Sequence, residues 1–357
     1  YQKLIKNFIL NGVNVFDVAR KYRKGFSEQD LGKVIRKLIK DNIINRNEVF
    51  ISSKAGLINL FDDKKKDISV KEFVKLRGLK SDDIKNDIFC ASQKFLEQEI
   101  DISLKNLQLK SLDNYYIHNP EFLNTSDNNN YKDYYKIFET FEKAIQDKKI
   151  KSYGVSSWAG FRRYKNNSFY IDIKKLIKIA SDVAGKKNRF KNIQIPLSLY
   201  MPFVKTNYSF GAKKNLLEFC EDNKINVFSS ASLYEGKIKE FFNLLNISSF
   251  LKNEKNTNKK SIANNTIINK ITLPDSDNSL LQLFEVIEKI AKNPKHFNFK
   301  FDKKIYQNSL DFIRSNKFIT SSLFGVENLS QLSENLTILK KRKLKNSKQK
   351  KIWKALS

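Results

Sequence analysis

Residues 13–22, VNVFDVARKY, give the first indication of the architecture. The segment from Val13 to Phe16 is mostly apolar and is typical of a buried strand, and a carboxylate, Asp17, stands at its carboxyl end. A phenol, Tyr22, follows five residues later. An acid beside an apolar core needs a cationic partner, because a buried charge is tolerated only when it is paired. The segment therefore predicts a strand that carries a polar site at its carboxyl end.

The same unit recurs along the chain, as a short apolar run followed by an amphipathic helical pattern. We predict strands at 13–16, 49–54, 114–119, 152–157, 192–197, 226–231 and 319–325. We predict helices near 27–40, 88–107, 131–147, 171–183, 213–223, 303–315 and 328–339. Strands that alternate with helices favour parallel pairing through right-handed crossovers.

This alternation predicts an α/β fold, a (β/α)8 TIM barrel with about seven βα units visible. The chain starts in a helix-like segment, so we expect the first barrel strand to precede residue 1. The competing architecture is a doubly wound open sheet. That fold would carry a glycine-rich phosphate loop after an early strand, and neither GxGxxG nor GxxxxGK[ST] occurs in the sequence.

The predicted barrel covers residues 1–339, and a basic C-terminal tail, 340–357, follows it. Long segments near 57–87 and 232–300 interrupt the alternation. In a barrel such segments follow the carboxyl ends of strands, where sites are built. They either cover a substrate or are neutral insertions. The tail is interpreted as a solvated terminus, with an anion-binding or localisation arm as the alternative.

The amino-acid composition limits which partners, compartment and metal sites are expected. The 357 residues carry a net charge of +29, but Lys is abundant throughout and no nucleic-acid-binding motif accompanies it, so we expect no specific nucleic-acid partner. We expect no membrane span, because no run of eighteen apolar residues occurs. Cys90 and Cys220 match no CxxC pattern, which fits a reducing, cytoplasmic location. His296 has no second His or Cys nearby, so no metal site is expected. The oligomeric state stays open.

Three consecutive predicted strands end in ionisable residues, namely Asp17, Lys54 in ISSKAG and His118 in YYIHNP. The carboxyl ends of neighbouring strands meet at one rim of a parallel barrel, so we expect Asp17 to pair with the Lys54 ammonium. An ammonium beside a phenol favours the charged form of the phenol, which suits Tyr22 to donate a proton to a carbonyl oxygen. His118 would hydrogen-bond the same oxygen. Taken singly, these residues are more often a helix cap, a solvated cation and a core histidine. Their order at successive strand ends favours a site.

These segments resemble those of the aldo-keto reductases. NVFDVARKY resembles the family's Asp-x-Ala-x-x-Tyr segment, VFISSKAG its active-site lysine strand, and LDNYYIHNPE its active-site histidine strand. FEKAIQDKKIKSYGVSSW looks like the stretch that leads to Gly-Val-Ser-Asn, and the resemblance extends from residue 5 to 339. It implies a (β/α)8 barrel that reversibly reduces aldehydes or ketones. Tyr22 would be the general acid, Lys54 and Asp17 would tune it, and His118 would orient the substrate.

The resemblance also implies a cofactor, NADPH with NADH as an alternative, and residues that bind it. Ser156 and Gln194 match the residues that hold the nicotinamide carboxamide, and Ser157 stands where the family usually has Asn. Ser230, in NVFSSASLYEG, occupies the place of an aromatic that stacks on the nicotinamide. In GVENLSQLSEN, which resembles the adenosine-phosphate segment, three family positions are in place: Gly325, Gln331 and Asn335.

Glu327 and Asn328 stand where the family tends to carry a basic or hydroxyl residue. A carboxylate near a 2′-phosphate repels it, so we expect weak discrimination between NADPH and NADH, with NADPH slightly favoured.

The leading interpretation is an NAD(P)H-dependent oxidoreductase that reduces a small aldehyde or ketone to an alcohol by hydride transfer. The alternative is a cofactor-binding regulatory or redox-sensing module with little turnover, since some proteins that resemble this family act in that way. A nucleic-acid or anion-binding function would depend on the net charge alone.

Overall fold

The computed structural model describes residues 1–123, 131–163, 167–199, 201, 214–233, 305–345, 347 and 349. The chain divides into two compact units. The first unit comprises Tyr1–Ile195, Leu216–Phe228 and Glu327–Leu332. The second comprises Pro196–Asn215, Ser229–Val326 and Ser333–Ser357.

Strands and helices alternate along the chain. The strands are β1 (Val15–Asp17), β2 (Phe50–Ala55), β3 (Ile84–Lys85), β4 (Phe89–Cys90), β5 (Asn114–His118), β6 (Tyr153–Ser156), β7 (Phe190–Pro196), β8 (Asn226–Ser230) and β9 (Ser321–Ser322). The helices are α1 (Gln2–Leu10), α2 (Phe26–Lys40), α3 (Val70–Arg77), α4 (Gln93–Leu107), α5 (Lys132–Gln146), α6 (Ile173–Ala184), α7 (Leu216–Asp222), α8 (Ile305–Arg314) and α9 (Leu329–Leu336).

Seven of the strands form one sheet in the order β1-β2-β5-β6-β7-β8-β9. The pairs from β1 through β7 are parallel, and their register places Asp17 opposite Ser52 and His118 opposite Ser156. β3 and β4 form a separate antiparallel pair. Spatial order follows chain order, and helices separate the parallel strands, as in a (β/α)8 barrel. The predicted fold class is confirmed.

The pleat of the strands decides which residues reach the site. Tyr115 packs edge-on against Phe141 of α5, with ring centroids 5.9 Å apart, whereas its neighbour Tyr116 packs against Phe228 of β8. Side chains of one strand alternate between the two faces. His118 therefore shares the face of Tyr116, and in β2 the same alternation puts Lys54 on the face of Ser52.

The structure corrects one predicted boundary. A helix was expected near 88–107, but Phe89 and Cys90 are fully buried and pair with β3, and helix α4 begins only at Gln93. The expected insertion near 57–87 contains helix α3. A capping box formed by Ser69 and Glu72 begins this helix. From residue 234 the segment near 232–300 lies outside the described residues, and so does most of the tail beyond 345.

In the described part of the chain, no helix is both long and apolar enough to cross a membrane.

Gly32 in α2 lies against the backbone of α4, and we predict that Gly32→Ala destabilises the fold. A β-carbon at this position would lie 2.4 Å from the carbonyl oxygen of Leu107. An exposed helical Gly→Ala change stabilises by up to about 1 kcal/mol, but overpacking against backbone costs about 1–3 kcal/mol and should win. Urea unfolding measures the change. The control Lys33→Ala, at an exposed neighbouring position, should stay within about 0.5 kcal/mol. A Gly32→Ala variant as stable as the original chain would contradict this packing.

Candidate active site

A buried ion pair joins the ends of β1 and β2. The side chain of Lys54 is completely buried, and its Nζ donates a hydrogen bond to Oδ2 of Asp17. The other carboxylate oxygen of Asp17 accepts from the hydroxyl of Ser52 at 2.7 Å. Burial acts to lower the pKa of Lys54, but electrostatic interactions with the carboxylate of Asp17 and then with the phenol of Tyr22 outweigh burial and raise the pKa above its ordinary value. The side chain of Lys54 is therefore an ammonium.

Tyr22 lies against this ammonium. Its hydroxyl oxygen accepts a hydrogen bond from Nζ of Lys54 at 3.2 Å, and the ammonium lies 4.8 Å from the ring centroid. With Asp17 and the backbone oxygen of Val18, 3.2 Å away, Tyr22 takes up the three donors of the ammonium. Because the phenol oxygen accepts this bond, its own proton stays available for donation. Tyr22 is 38% exposed, so solvent or a ligand can reach it.

A left-handed turn follows Tyr22 and carries two ion pairs. Arg23, Lys24 and Gly25 have φ values of 51°, 53° and 87°. This conformation costs a residue other than glycine roughly 1–2 kcal/mol. Arg23 pairs with Asp30 at 2.8 Å, and Lys24 pairs with Asp67 at 2.6 Å. Both pairs are partly exposed, so each offsets at most about 1 kcal/mol of the cost of this turn.

His118 ends β5 beside Tyr22. The two rings are perpendicular, with centroids 6.2 Å apart. Burial, followed by the charges of Lys54 and Lys21, holds the pKa of His118 well below its ordinary value of 6.5. The imidazole is therefore neutral at pH 7 and carries one N–H donor and one acceptor nitrogen.

Ser156 and Gln194 lie side by side on β6 and β7. The hydroxyl of Ser156 donates to Oε1 of Gln194 at 2.8 Å. Nε2 of Gln194 is buried, and no hydrogen-bond partner for it lies among the described residues. A buried donor without a partner costs about 1–3 kcal/mol, so this amide is suited to a ligand that brings an acceptor. The carboxamide oxygen of a nicotinamide is such an acceptor, and the two residues fit the cofactor that the sequence implies.

Ser157 is differently engaged. Its hydroxyl donates to Oε2 of Glu121 at 2.8 Å and accepts from the backbone N–H of Gly160 at 2.8 Å. The hydroxyl has one proton, and that proton is used within the chain. Glu121 also accepts from the N–H of Ala159 at 2.8 Å, and burial raises its pKa. Ser157 and Glu121 thus hold the loop that follows β6.

The sequence interpretation did not single out Glu121. The available signal was its place in HNPE, three residues after the end of β5, where a carboxylate follows Asn119 and Pro120.

The remaining cofactor candidates fall in different units. In the first unit, the side-chain oxygen Oε1 of Gln331 accepts a hydrogen bond from the backbone N–H of Glu327 at 2.8 Å. The backbone N–H of Gln331 donates to Oδ1 of Asn328 at 2.9 Å. These bonds organise the start of α9, and Glu327 is exposed. Three candidates belong to the second unit: Ser230, Gly325 and Asn335. Their roles, like those of the other site residues, stay predictions.

No metal site was expected from the sequence. Over the residues that the structure describes, no group of three or more His, Cys, Asp or Glu side chains could hold a metal ion.

Comparison with known proteins places the chain in a family. The model of the aldo/keto reductase family matches residues 1–357. The chain therefore belongs to the aldo/keto reductase family, and it is an NAD(P)-dependent oxidoreductase. A comparison with curated protein sequences gives no significant match.

Solved structures show the same fold at low identity. An aldo-keto reductase from Bacillus halodurans in its holo form is 15% identical, with a TM-score of 0.59, over 100% of this chain and 87% of the other. The glycerol dehydrogenase from Gluconobacter oxydans is 17% identical, with a TM-score of 0.60, over 99% and 84%. An aldo/keto reductase from Klebsiella pneumoniae, in complex with NADP and acetate, is 16% identical, with a TM-score of 0.52, over 99% and 84%.

The depressed pKa of His118 predicts its behaviour in an NMR titration. The chain has two histidines, so a His296→Gln variant leaves the signal of His118 alone. We expect its midpoint well below 6.5, with little change at pH 6. A folded-state pKa below the unfolded value also means that the stability contributed by neutral His118 is present above pH 6.5 and is lost as the pH falls through the folded-state pKa. A midpoint at or above 6.5 would contradict the geometry.

Proposed function

We propose that the chain reduces an aldehyde or ketone to an alcohol, with Tyr22 as the proton donor. The observation that carries this proposal is the three-way contact of the buried Lys54 ammonium with Asp17, Val18 and the hydroxyl of Tyr22. A phenol is a weak acid at neutral pH, and catalysis requires that the phenolate left behind be stabilised.

The proposed proton transfer follows from the direction of the hydrogen bonds. The ammonium donates to the phenol oxygen, so the Tyr22 proton points away from Lys54 and can pass to a carbonyl oxygen. The negative charge then left on Tyr22 lies 3.2 Å from an ammonium that is already in place. Such preorganised charge requires no rearrangement during the reaction. Solvent can return the proton, because Tyr22 is partly exposed.

His118 is proposed to orient the substrate. A neutral imidazole can donate one hydrogen bond to the carbonyl oxygen without competing with Tyr22 as an acid. The low pKa of His118 supports this role, since its burial and the nearby lysines disfavour the protonated ring. Two donors on one oxygen would fix the carbonyl for attack at its carbon.

A reduced nicotinamide cofactor, when bound, supplies the hydride that reaches the carbonyl carbon. Ser156 and Gln194 are proposed to hold its carboxamide, and Gln194 offers a buried amide donor for it. NADPH is the proposed cofactor, with NADH as the alternative, and the Klebsiella pneumoniae relative is described in complex with NADP. Ser157 contributes less directly, because its proton is bound by Glu121.

Tyr22→Phe should separate proton donation from cofactor binding. We expect kcat for a neutral aldehyde to fall about 10²- to 10⁴-fold, the usual contribution of a general acid. NADPH affinity, measured by fluorescence titration, should hardly change, because the phenol proton is not needed for binding. A redox-sensing module with little turnover would instead show a low kcat in the original chain and little further loss in the variant. Unchanged turnover in Tyr22→Phe would refute the proton-donor assignment.

Gln194→Met should weaken cofactor binding by removing the unpartnered amide. Loss of one hydrogen bond of about 1.4 kcal/mol raises Kd for NADPH about tenfold. Stabilisation by saturating NADPH in thermal unfolding should fall accordingly. Gln98→Met serves as the control, because the side-chain amide of Gln98 already donates to the backbone oxygen of Arg77 in the insertion, at 3.1 Å. Equal NADPH stabilisation of both variants and the original chain would count against Gln194 as a cofactor contact.

A further inference from the structure

The segment that carries Tyr22 is rich in cations, and most of them are neutralised by acids. Four cations in or beside this segment have a carboxylate oxygen within 4.0 Å, in the pairs Lys54–Asp17, Arg20–Glu99, Arg23–Asp30 and Lys24–Asp67. Each of these cations therefore has an acidic partner in the protein, either in the core or at the turn after Tyr22.

Lys21 is the exception. It directly precedes Tyr22, its side chain is exposed, and no carboxylate or hydrogen-bond partner for its ammonium lies among the described residues. Its backbone adjoins the active site because it is bonded to Tyr22, and its positive charge is the third cause, after burial and Lys54, that lowers the pKa of His118. An uncompensated positive charge is thus carried by the residue that precedes Tyr22, and it acts electrostatically on His118.

We propose that Lys21 is an anion anchor, and that the natural substrate is a carbonyl compound that carries a carboxylate or phosphate group near its carbonyl. The proposal rests on the proposed function and names the class of its substrate. Tyr22 and His118 fix the carbonyl oxygen, and Lys21 is the charged side chain next to Tyr22 that is left to meet a substrate anion.

Abundance of lysine does not account for this placement. The chain has 67 Lys and Arg residues, and a solvated lysine is the ordinary outcome for most exposed positions. Lys33 on α2 is such a residue, exposed and without a described partner. Lys21 differs because it directly precedes Tyr22 in the chain and because its charge contributes to the lowered pKa of His118. A neutral substrate would leave this charge unused, whereas an anionic one would be attracted to the site.

The test compares matched pairs of substrates in the original chain and in three variants. The pairs are succinic semialdehyde with butanal, and glyceraldehyde 3-phosphate with glyceraldehyde. The variants are Lys21→Gln, which removes the charge, Lys21→Arg, which keeps it, and Lys33→Gln, which lowers the net charge equally. NADPH oxidation gives kcat and KM at about 20 mM and 500 mM salt.

We expect at least one anionic member to be preferred in kcat/KM by about tenfold, chiefly through KM. The preference should be lost in Lys21→Gln, retained in Lys21→Arg and Lys33→Gln, and reduced at high salt, because an exposed charge pair is screened. Succinic semialdehyde and glyceraldehyde 3-phosphate distinguish a carboxylate from a phosphate.

Neutral aldehydes reduced as well as both anionic ones would overturn the anchor while leaving the proposed reduction intact. An anionic preference that survives Lys21→Gln would also overturn it. If no aldehyde is reduced at all, the proposed function itself fails.

Discussion

The buried Lys54–Asp17 ion pair is the constraint on which the rest of the site depends. Transfer of a charged group from water into a protein costs several kcal/mol, and removal of one partner of a buried pair costs about 3–5 kcal/mol. Lys54 is fully buried and uses its three protons on Asp17, Val18 and Tyr22, so its position fixes that of the phenol. The parallel register of β1 and β2 makes the pair geometrically available, since Asp17 stands opposite Ser52, two residues before Lys54. Fold and site are coupled through this one contact.

A second polar network lies on the opposite face of β2 and contacts the segment that precedes Tyr22. On the opposite face of β2, Ser53 donates to the fully buried Glu28 at 2.7 Å. Glu99 of α4 binds Arg20 at 3.5 Å and also Arg77 at the end of α3, and burial raises the pKa of Glu99. Because Arg20 lies two residues before Tyr22, the insertion that contains α3 is tied to the segment that carries the phenol. The insertion near 57–87 is thus a structural support in this part of the fold.

Sequence patterns predicted most of the fold and the ionisable residues of the site. The apolar runs located the seven strands of the sheet, because a buried parallel strand must be apolar on both faces. Asp17, Lys54 and His118 stood out because they end successive strands. The patterns could not show β4, since Phe89 and Cys90 fit a helix as well as a strand until pairing with β3 decides the matter. Nor could they show that the hydroxyl of Ser157 donates its hydrogen bond to Glu121, because that contact joins two loops 36 residues apart.

A double-mutant cycle on turnover tests the central claim most directly. The claim is that Lys54 acts on the reaction through Tyr22. The cycle compares kcat/KM for reduction of a neutral aldehyde in the original chain, Tyr22→Phe, Lys54→Met and the double variant, with circular dichroism to confirm folding. The account predicts strong non-additivity, with the double variant little slower than Tyr22→Phe, because an ammonium cannot assist a phenol that is absent. Losses that multiply in the double variant would show that Lys54 and Tyr22 act independently and would contradict the account.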